Sequence, residues 1–235
     1  MDLQFTYNGI RKSYISVLSD LRRPILPTIS YTTAERTGAG ERVTGMKLDT
    51  IILDVPVVVY HRGKRLQELK LELSTWLYSE DEQKLVFSDK PSRYYMARFL
   101  SMEFEEYEHF SKGVIQFLCP TPYQYAAEMI VPIPNQADIE VMGQIPVYWT
   151  LQCRIEAKTN KFEVINQAEE KLILYHQFQE NDVIQIDTRK RVISLNRESR
   201  MSLLAFESRW FSLKPGVNTM YVTQPSTLSY QNIYL

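Results

Sequence analysis

Apolar and polar residues recur along this chain at two different periods, and most of the length follows the shorter one, that of strands. Phe5 to Leu18 reads as a short strand, a turn at Asn8-Gly9 and a second strand, since Asn-Gly between apolar runs is the strongest short-range hairpin signal. Leu21 to Ile29 places Pro24 and Pro27 among apolar residues, the pattern of an edge strand or an extended connection. Leu48 to Tyr60 is rich in Ile and Val, which suit a pleated surface, and Pro56 assigns that strand to an edge or a bulge. The period then changes. Leu66, Leu69, Leu73, Trp76 and Leu77 form an apolar stripe on one face of an α-helix over about residues 62–78. Lys84 to Phe99 returns to the strand period, with two apolar runs around the turn-forming Ser88-Asp89-Lys90-Pro91-Ser92. Glu103 to Phe110 reads as a further strand with a solvated acidic face, and Gly113 to Cys119 as another, stopped by Pro120.

Pro120, Pro122, Pro132 and Pro134 resist both helix and central strand, so a boundary is expected here. The division is residues 1–122 and 123–235. Beyond it no helical period appears. Short runs follow at Val147–Leu151, Phe162–Ile165, Leu172–Tyr175, Val183–Ile186 and Val192–Leu195, each ended by polar or turn residues. Lys214-Pro215-Gly216-Val217-Asn218 is a turn before a last strand at Thr219 to Val222. Short strands at such spacing predict an all-β sandwich. The fold class is therefore mainly β: a β-rich first domain with one amphipathic helix, then a sandwich.

Composition narrows the function. With 27 basic and 28 acidic residues the net charge is −1, which offers no bulk attraction to nucleic acid or anionic lipid. Arg189-Lys190-Arg191 reads as a solvated turn. No apolar run approaches the roughly 20 residues needed to span a bilayer, and Met1 to Phe5 lacks the character of a signal peptide. Synthesis as a soluble chain in a reducing cytoplasm is expected, with Cys119 and Cys153 as buried free thiols.

Candidate chemistry changes the picture little. Gly38-Ala39-Gly40 lacks the residues of a phosphate-binding loop and reads as a mobile surface loop. No Gly-x-Ser-x-Gly elbow occurs. His61, His109 and His176 are far apart and have no metal-ligand spacing with an acid or cysteine. No catalytic residue, metal ligand or cofactor site is expected. The 15 tyrosines and the aromatic second half raise one alternative, a carbohydrate-binding module with Trp149, Trp210 and Tyr221 as stacking residues. Aromatic-rich cores and interfaces have the same composition.

Several stretches together resemble a known family. They are the Asn8-Gly9 opening, the helix ending Thr75-Trp76-Leu77, the block Leu85-Val86-Phe87-Ser88-Asp89-Lys90-Pro91 running on to Arg93-Tyr94-Tyr95 and Ala97-Arg98, and Gly113 to Pro120. In order and spacing they are similar to the N-terminal domain of the distal tail proteins of long-tailed bacteriophages and prophages of Gram-positive bacteria. The Asp-x-Pro-x-Arg-Tyr-Tyr block is the most recognisable. Asn181 to Asp187, Arg191 to Leu195 and Leu213 to Asn218 resemble that family's galectin-like C-terminal sandwich. Two departures stand out. The family's Pro-Gly-Arg-Asp-Gly-like loop is here Gly38-Ala39-Gly40-Glu41-Arg42, and neither sugar-binding strand motif of true galectins occurs.

The resemblance implies a structural protein without catalysis. It implies a hexameric ring at the tail tip of the virion, joining the tail tube to host-contacting tail-tip proteins and enclosing the DNA exit channel. Partners would be further copies of the chain, the tail tube protein, the tape-measure protein and a tail-tip lysin or receptor-binding protein. Sequence-specific nucleic-acid binding and membrane insertion are not expected. Arginine and tyrosine commonly anchor interfaces, so Arg93, Tyr94, Tyr95 and Arg98 are the interface candidates, with Leu66 and Trp76 of the helix.

Overall fold

Strand-forming residues and the single helical stripe organise the first part of the chain around one apolar interior. The computed structural model describes residues 3–235. Its elements begin with β1 (Phe5–Tyr7), β2 (Ile15–Val17), β3 (Ile29–Glu35), β4 (Glu41–Leu48) and β5 (Ile51–Tyr60). They continue with α1 (Leu66–Leu77), β6 (Gln83–Phe87), β7 (Arg93–Glu106) and β8 (Phe110–Cys119). Antiparallel ladders run β1-β6-β7-β8-β5-β2. The path then closes: Leu3, just before β1, stands opposite Val17 of β2 and accepts its amide hydrogen bond at 2.9 Å. Closure into a barrel removes the open edges.

The interior follows from the alternation. Leu53, Val55 and Val57 of β5 and Ile115, Phe117 and Cys119 of β8 point inward and are fully buried. Phe5 and Tyr7 of β1 pack on Phe117, with ring centroids 5.8 and 5.0 Å away. Helix α1 buries Leu69, Leu73, Trp76 and Leu77, four of the five stripe residues, while Leu66 is half-buried at its start. Trp76 stacks on Phe5, and its Nε1 donates to the Tyr7 carbonyl at 3.1 Å. The β-bulge at Phe99–Ser101 lets the long β7 bend between β6 and β8.

Ladder pairing differs from the sequence reading at three places. Asn8 and Gly9 do form the tight turn, with φ of 52° and 70°, and Tyr7 and Ile10 exchange both hydrogen bonds at 3.0 Å. The ladder stops there, because β1 pairs with β6 and β2 with β5. Long-range burial of Phe5 and Tyr7 outcompetes extension of a local hairpin. The acidic run is not a strand of its own: Glu103 to Glu106 end β7, and Tyr107 to His109 form the turn into β8. The segment around the Gly38–Gly40 loop is the third difference. Its flanks, β3 and β4, pair as a separate two-stranded sheet.

The chain divides into two compact units, residues up to Tyr125 together with Leu235, and Ala126–Tyr234. A strand, β9 (Gln124–Ile133), runs through the proline-dense segment, with Pro132 near its end. Then come β10 (Gln136–Val141), β11 (Trp149–Arg154), β12 (Thr159–Asn166), β13 (Lys171–Phe178), β14 (Val183–Asp187), β15 (Val192–Leu195) and β16 (Glu198–Ser199). The last two are β17 (Gly216–Val222) and β18 (Ser226–Tyr234). Of these, β9, β10, β16 and β18 go beyond the strands read from the sequence. Two sheets form, β16-β15-β14-β11-β18-β9 and β10-β17-β12-β13. Their inward residues make one core that includes Trp149, Leu151, Phe162, Leu174, Phe178 and Ile186. This is a β-sandwich.

Candidate assembly surfaces

The most conspicuous surface of the first unit is the β3–β4 arm. Nearly every residue of both strands is exposed. Tyr31 and Met46 stand opposite each other across the ladder, 58% and 64% exposed, and Val43 is 57% exposed. Ile25, at a bend in the segment leading to the arm, is 92% exposed. A lone two-stranded hairpin is marginal in water. Among the described residues this one is tied down at its base, where Ser30 donates to the Asp49 carboxylate and the Asp49 amide donates to the Thr28 carbonyl at 2.9 Å.

The Ser88–Tyr95 block lies on the barrel wall. Its turn is held by amide donations from Lys90 to Phe87 and from Arg93 to Lys90, each 3.1 Å. The Gln4 amide donates to Ser88 Oγ, and the Ser88 amide donates to the Gln4 carbonyl, both at 2.9 Å. Asp89 pairs with Arg23, whose guanidinium also lies 4.9 Å from the Phe87 ring centre. The block thus clamps the first strand and the proline-containing 21–28 segment to the barrel. Neither Arg23 nor Asp89 was among the candidate residues. Their pairing spans 66 positions and has no local signal.

The six interface candidates separate into two groups. Tyr95 and Trp76 are core residues and are removed as surface anchors: Tyr95 faces the interior and accepts from Gln124 Nε2 at 2.5 Å, and Trp76 is the helix's contact with β1. Arg98 is exposed, while Arg93, Tyr94 and Leu66 are half-buried. Tyr94 stacks on Tyr125 at 5.8 Å, with Lys84 Nζ 4.6 Å from its ring centre. Tyr94 and Tyr95 are neighbours in sequence with opposite fates, because successive strand residues face opposite sides.

Family models divide the chain much as the fold does. Residues 10–119 match the phage tail protein RIFT-related domain, and residues 142–234 match the siphovirus-type tail component, C-terminal domain. The chain belongs to the distal tail protein family of siphophages. It is 27% identical over 205 residues to the distal tail protein of Bacillus phage SPP1, covering 83% of this chain and 81% of the relative. Its fold matches the crystal structure of the SPP1 Dit protein with a TM-score of 0.86, at 21% identity and over 99% of each chain. That structure is described as a paradigm of the hub adsorption apparatus in phages infecting Gram-positive bacteria. The family is one of structural tail components, not of enzymes.

The remaining chemistry of this distal tail family member is structural. Glu72 on α1 accepts from Lys12 and Lys64, both at 2.7 Å, and these two ammonium groups, Lys12 first, hold its carboxyl down at about 2. Tyr14 beside it is raised by burial and by the Glu72 charge. Burial pushes the Cys119 thiol up to about 12, and raises Cys153 as well, so both are inert core residues. His61 is buried against Ser111 Oγ at 2.9 Å, whereas His109 and His176 are exposed on separate units. Among the described residues no three His, Cys, Asp or Glu side chains cluster as a metal site, and no helix is long and apolar enough to cross a membrane. The aromatic trio does not form a platform. Trp149 is 1% exposed inside the sandwich, Trp210 packs against the same core, and Tyr221 is exposed on β17 of the other sheet.

Proposed function

We propose that this chain is the ring-forming adaptor at the tail tip of a siphophage virion. In this reading, copies of the first unit assemble head to tail into a closed ring, six-membered as the family resemblance implies. The ring joins the tail tube to the tail-tip proteins and surrounds the DNA exit channel. Its neighbours would be the tail tube protein, the tape-measure protein and a tail-tip lysin or receptor-binding protein.

One observation carries the reading: the β3–β4 arm exposes Tyr31, Val43 and Met46 on two strands that the rest of the unit leaves uncovered. Exposed apolar patches and unpaired strand edges call for a partner. An arm that docks on the next copy, with its own barrel docked by the previous one, is the heterologous geometry that closes rings. Arg98 and the half-buried Arg93, Tyr94 and Leu66 are the proposed secondary contacts. The near-zero net charge agrees with a conduit that must not retain DNA, since a basic lumen would hold phosphates.

The test is removal of the arm. Residues 29–48 are replaced by a short Gly-Ser linker, and the mass is read by multi-angle light scattering with negative-stain imaging. The intact chain is expected to form rings and the armless chain to be a folded monomer. Rings that persist without the arm, or an intact chain that stays monomeric at high concentration and binds no tail partner, would refute the proposal.

A further inference from the structure

The outward face of the β16-β15-β14-β11-β18 sheet presents chemistry that ring assembly does not use. Gln152 on β11 and Gln185 on β14 are direct ladder partners, and both are exposed, because Leu151, Cys153, Ile184 and Ile186 beside them fill the core. The row continues on one side to Thr227 of β18, opposite Gln152. On the other side it passes to Ser194 of β15 and Ser199 of β16. Five adjacent strands thus each contribute one hydroxyl or carboxamide. Among the described residues none of these five side chains has an internal hydrogen-bond partner. Neighbouring strands lie about 4.8 Å apart, so the row spans about 19 Å with a donor–acceptor group at every step.

Two cations flank it. Arg154, two residues beyond Gln152, and Arg197, in the turn between β15 and β16, line a hollow of about 490 Å³ with Gln152 and Gln185, and no carboxylate lines it. Neither arginine has an ion-pair partner among the described residues. The hollow continues past Gln152 and Arg154 toward the end of β9 as a second one of about 710 Å³, whose single carboxylate is Glu156. The turn holding Arg197 is costly. Asn196 and Arg197 have φ of 52° and 72°, a conformation whose second position is normally glycine. Asn196 is compensated, as its Nδ2 donates to Asp182 and its Oδ1 accepts from the Val183 amide, at 2.8 and 2.9 Å. Arg197 has no such local bond, so the strain holds a guanidinium at the lip of the trough.

We infer that this face binds an anionic polysaccharide, its hydroxyls on the Thr-Gln-Gln-Ser-Ser row and its acidic groups on Arg154 and Arg197. Hydroxyls both donate and accept, which suits a row of carboxamides and hydroxyls. A sugar chain laid across the strands meets a new polar group with roughly each unit. An acidic peptide would use the guanidinium groups and leave most of the row unmatched. A nucleic acid would need more cations and an aromatic stacking surface, and the exposed positions of this row carry neither. The site is distinct from Trp149, Trp210 and Tyr221.

The experiment uses the full chain on a glycan array containing hyaluronan and polygalacturonate oligosaccharides, followed by calorimetry on the glycan best retained. Dextran of equal length and poly-glutamate of equal charge are the controls. Binding to an anionic glycan is expected, with both controls weaker by about tenfold or more: dextran lacks the charge-assisted contacts to the guanidinium groups, and poly-glutamate lacks the hydroxyls that pair with the row. Arg154→Ser and the double variant Gln152→Ala/Gln185→Ala, all at exposed positions, should each weaken binding by about tenfold with melting unchanged. Arg197→Gly gives the turn its preferred residue, so it should raise the melting temperature while lowering affinity. Retention of no anionic glycan, equal binding to poly-glutamate, or variants that bind like the parent would each overturn the inference.

Discussion

Individual side chains in this molecule owe their roles to which way they point and what they meet. Trp149 shows the first. Its indole is buried, and its Nε1 has no hydrogen-bond partner among the described residues. Trp149→Ala should lose about 3–5 kcal/mol of stability through cavity formation. Trp149→Phe removes the unpartnered donor as well as some volume, so it should lose less than half as much in urea denaturation. Equal losses would mean that the indole nitrogen is satisfied after all. Glu72 shows the second. Its carboxyl titrates lower in the fold than in the unfolded chain, at about 2 against the ordinary 4.5. The folded state therefore binds fewer protons in that range. The stability this group contributes is complete above about 4.5 and is lost as pH falls toward 2. The carboxylate is half-buried but keeps access to solvent, which screens its pairs, so Glu72→Gln should cost less than about 1 kcal/mol at neutral pH. That difference should shrink as pH falls below about 4.5 and vanish only in melts below about pH 2.

Elements depend on close approach and on what covers them. Strands β7 and β8 run so near each other that a Cβ added at Gly113 would lie 1.8 Å from the Glu103 carbonyl oxygen. Backbone cannot yield as a flexible side chain can. Gly113→Ala should therefore destabilise the barrel by about 1–3 kcal/mol or more. The β3–β4 arm is the opposite case, a hairpin with almost nothing packed on it. The helix was readable from its stripe because the 3.6-residue period is local, and the observed Leu66–Leu77 falls within the expected 62–78. The arm was not readable as strands. With both faces exposed, it has no apolar alternation for burial to impose, and only the glycine-rich tip stood out.

At the scale of the whole molecule there are two cores, one in each compact unit. Units with separate cores are expected to melt as separable transitions in scanning calorimetry. Gly113→Ala should lower one of them and Trp149→Phe the other; a single transition shifted alike by both would contradict this. Much of this organisation was legible in the residues. Turn chemistry at Asn8-Gly9 and Ser88–Ser92, the helical stripe, the strand period of the second half and the family signature all arise from local sterics or from short contiguous blocks. The residues alone were therefore enough for the helix, for the strands with a buried face that were read in their order, and for the family, but not for β3, β4, β9, β10, β16 or β18. Tertiary structure alone decided which strands pair, that Leu3 meets Val17 to close the barrel, and that Asp89 meets Arg23. It also set Tyr95 and Trp76 inside while leaving Arg98 outside, and aligned Thr227, Gln152, Gln185, Ser194 and Ser199 in one row. The physical reason is the same in each case. A period fixes that alternate residues share a face, but which face is buried and which distant strand lies opposite depend on the apolar area that the whole chain can remove from water.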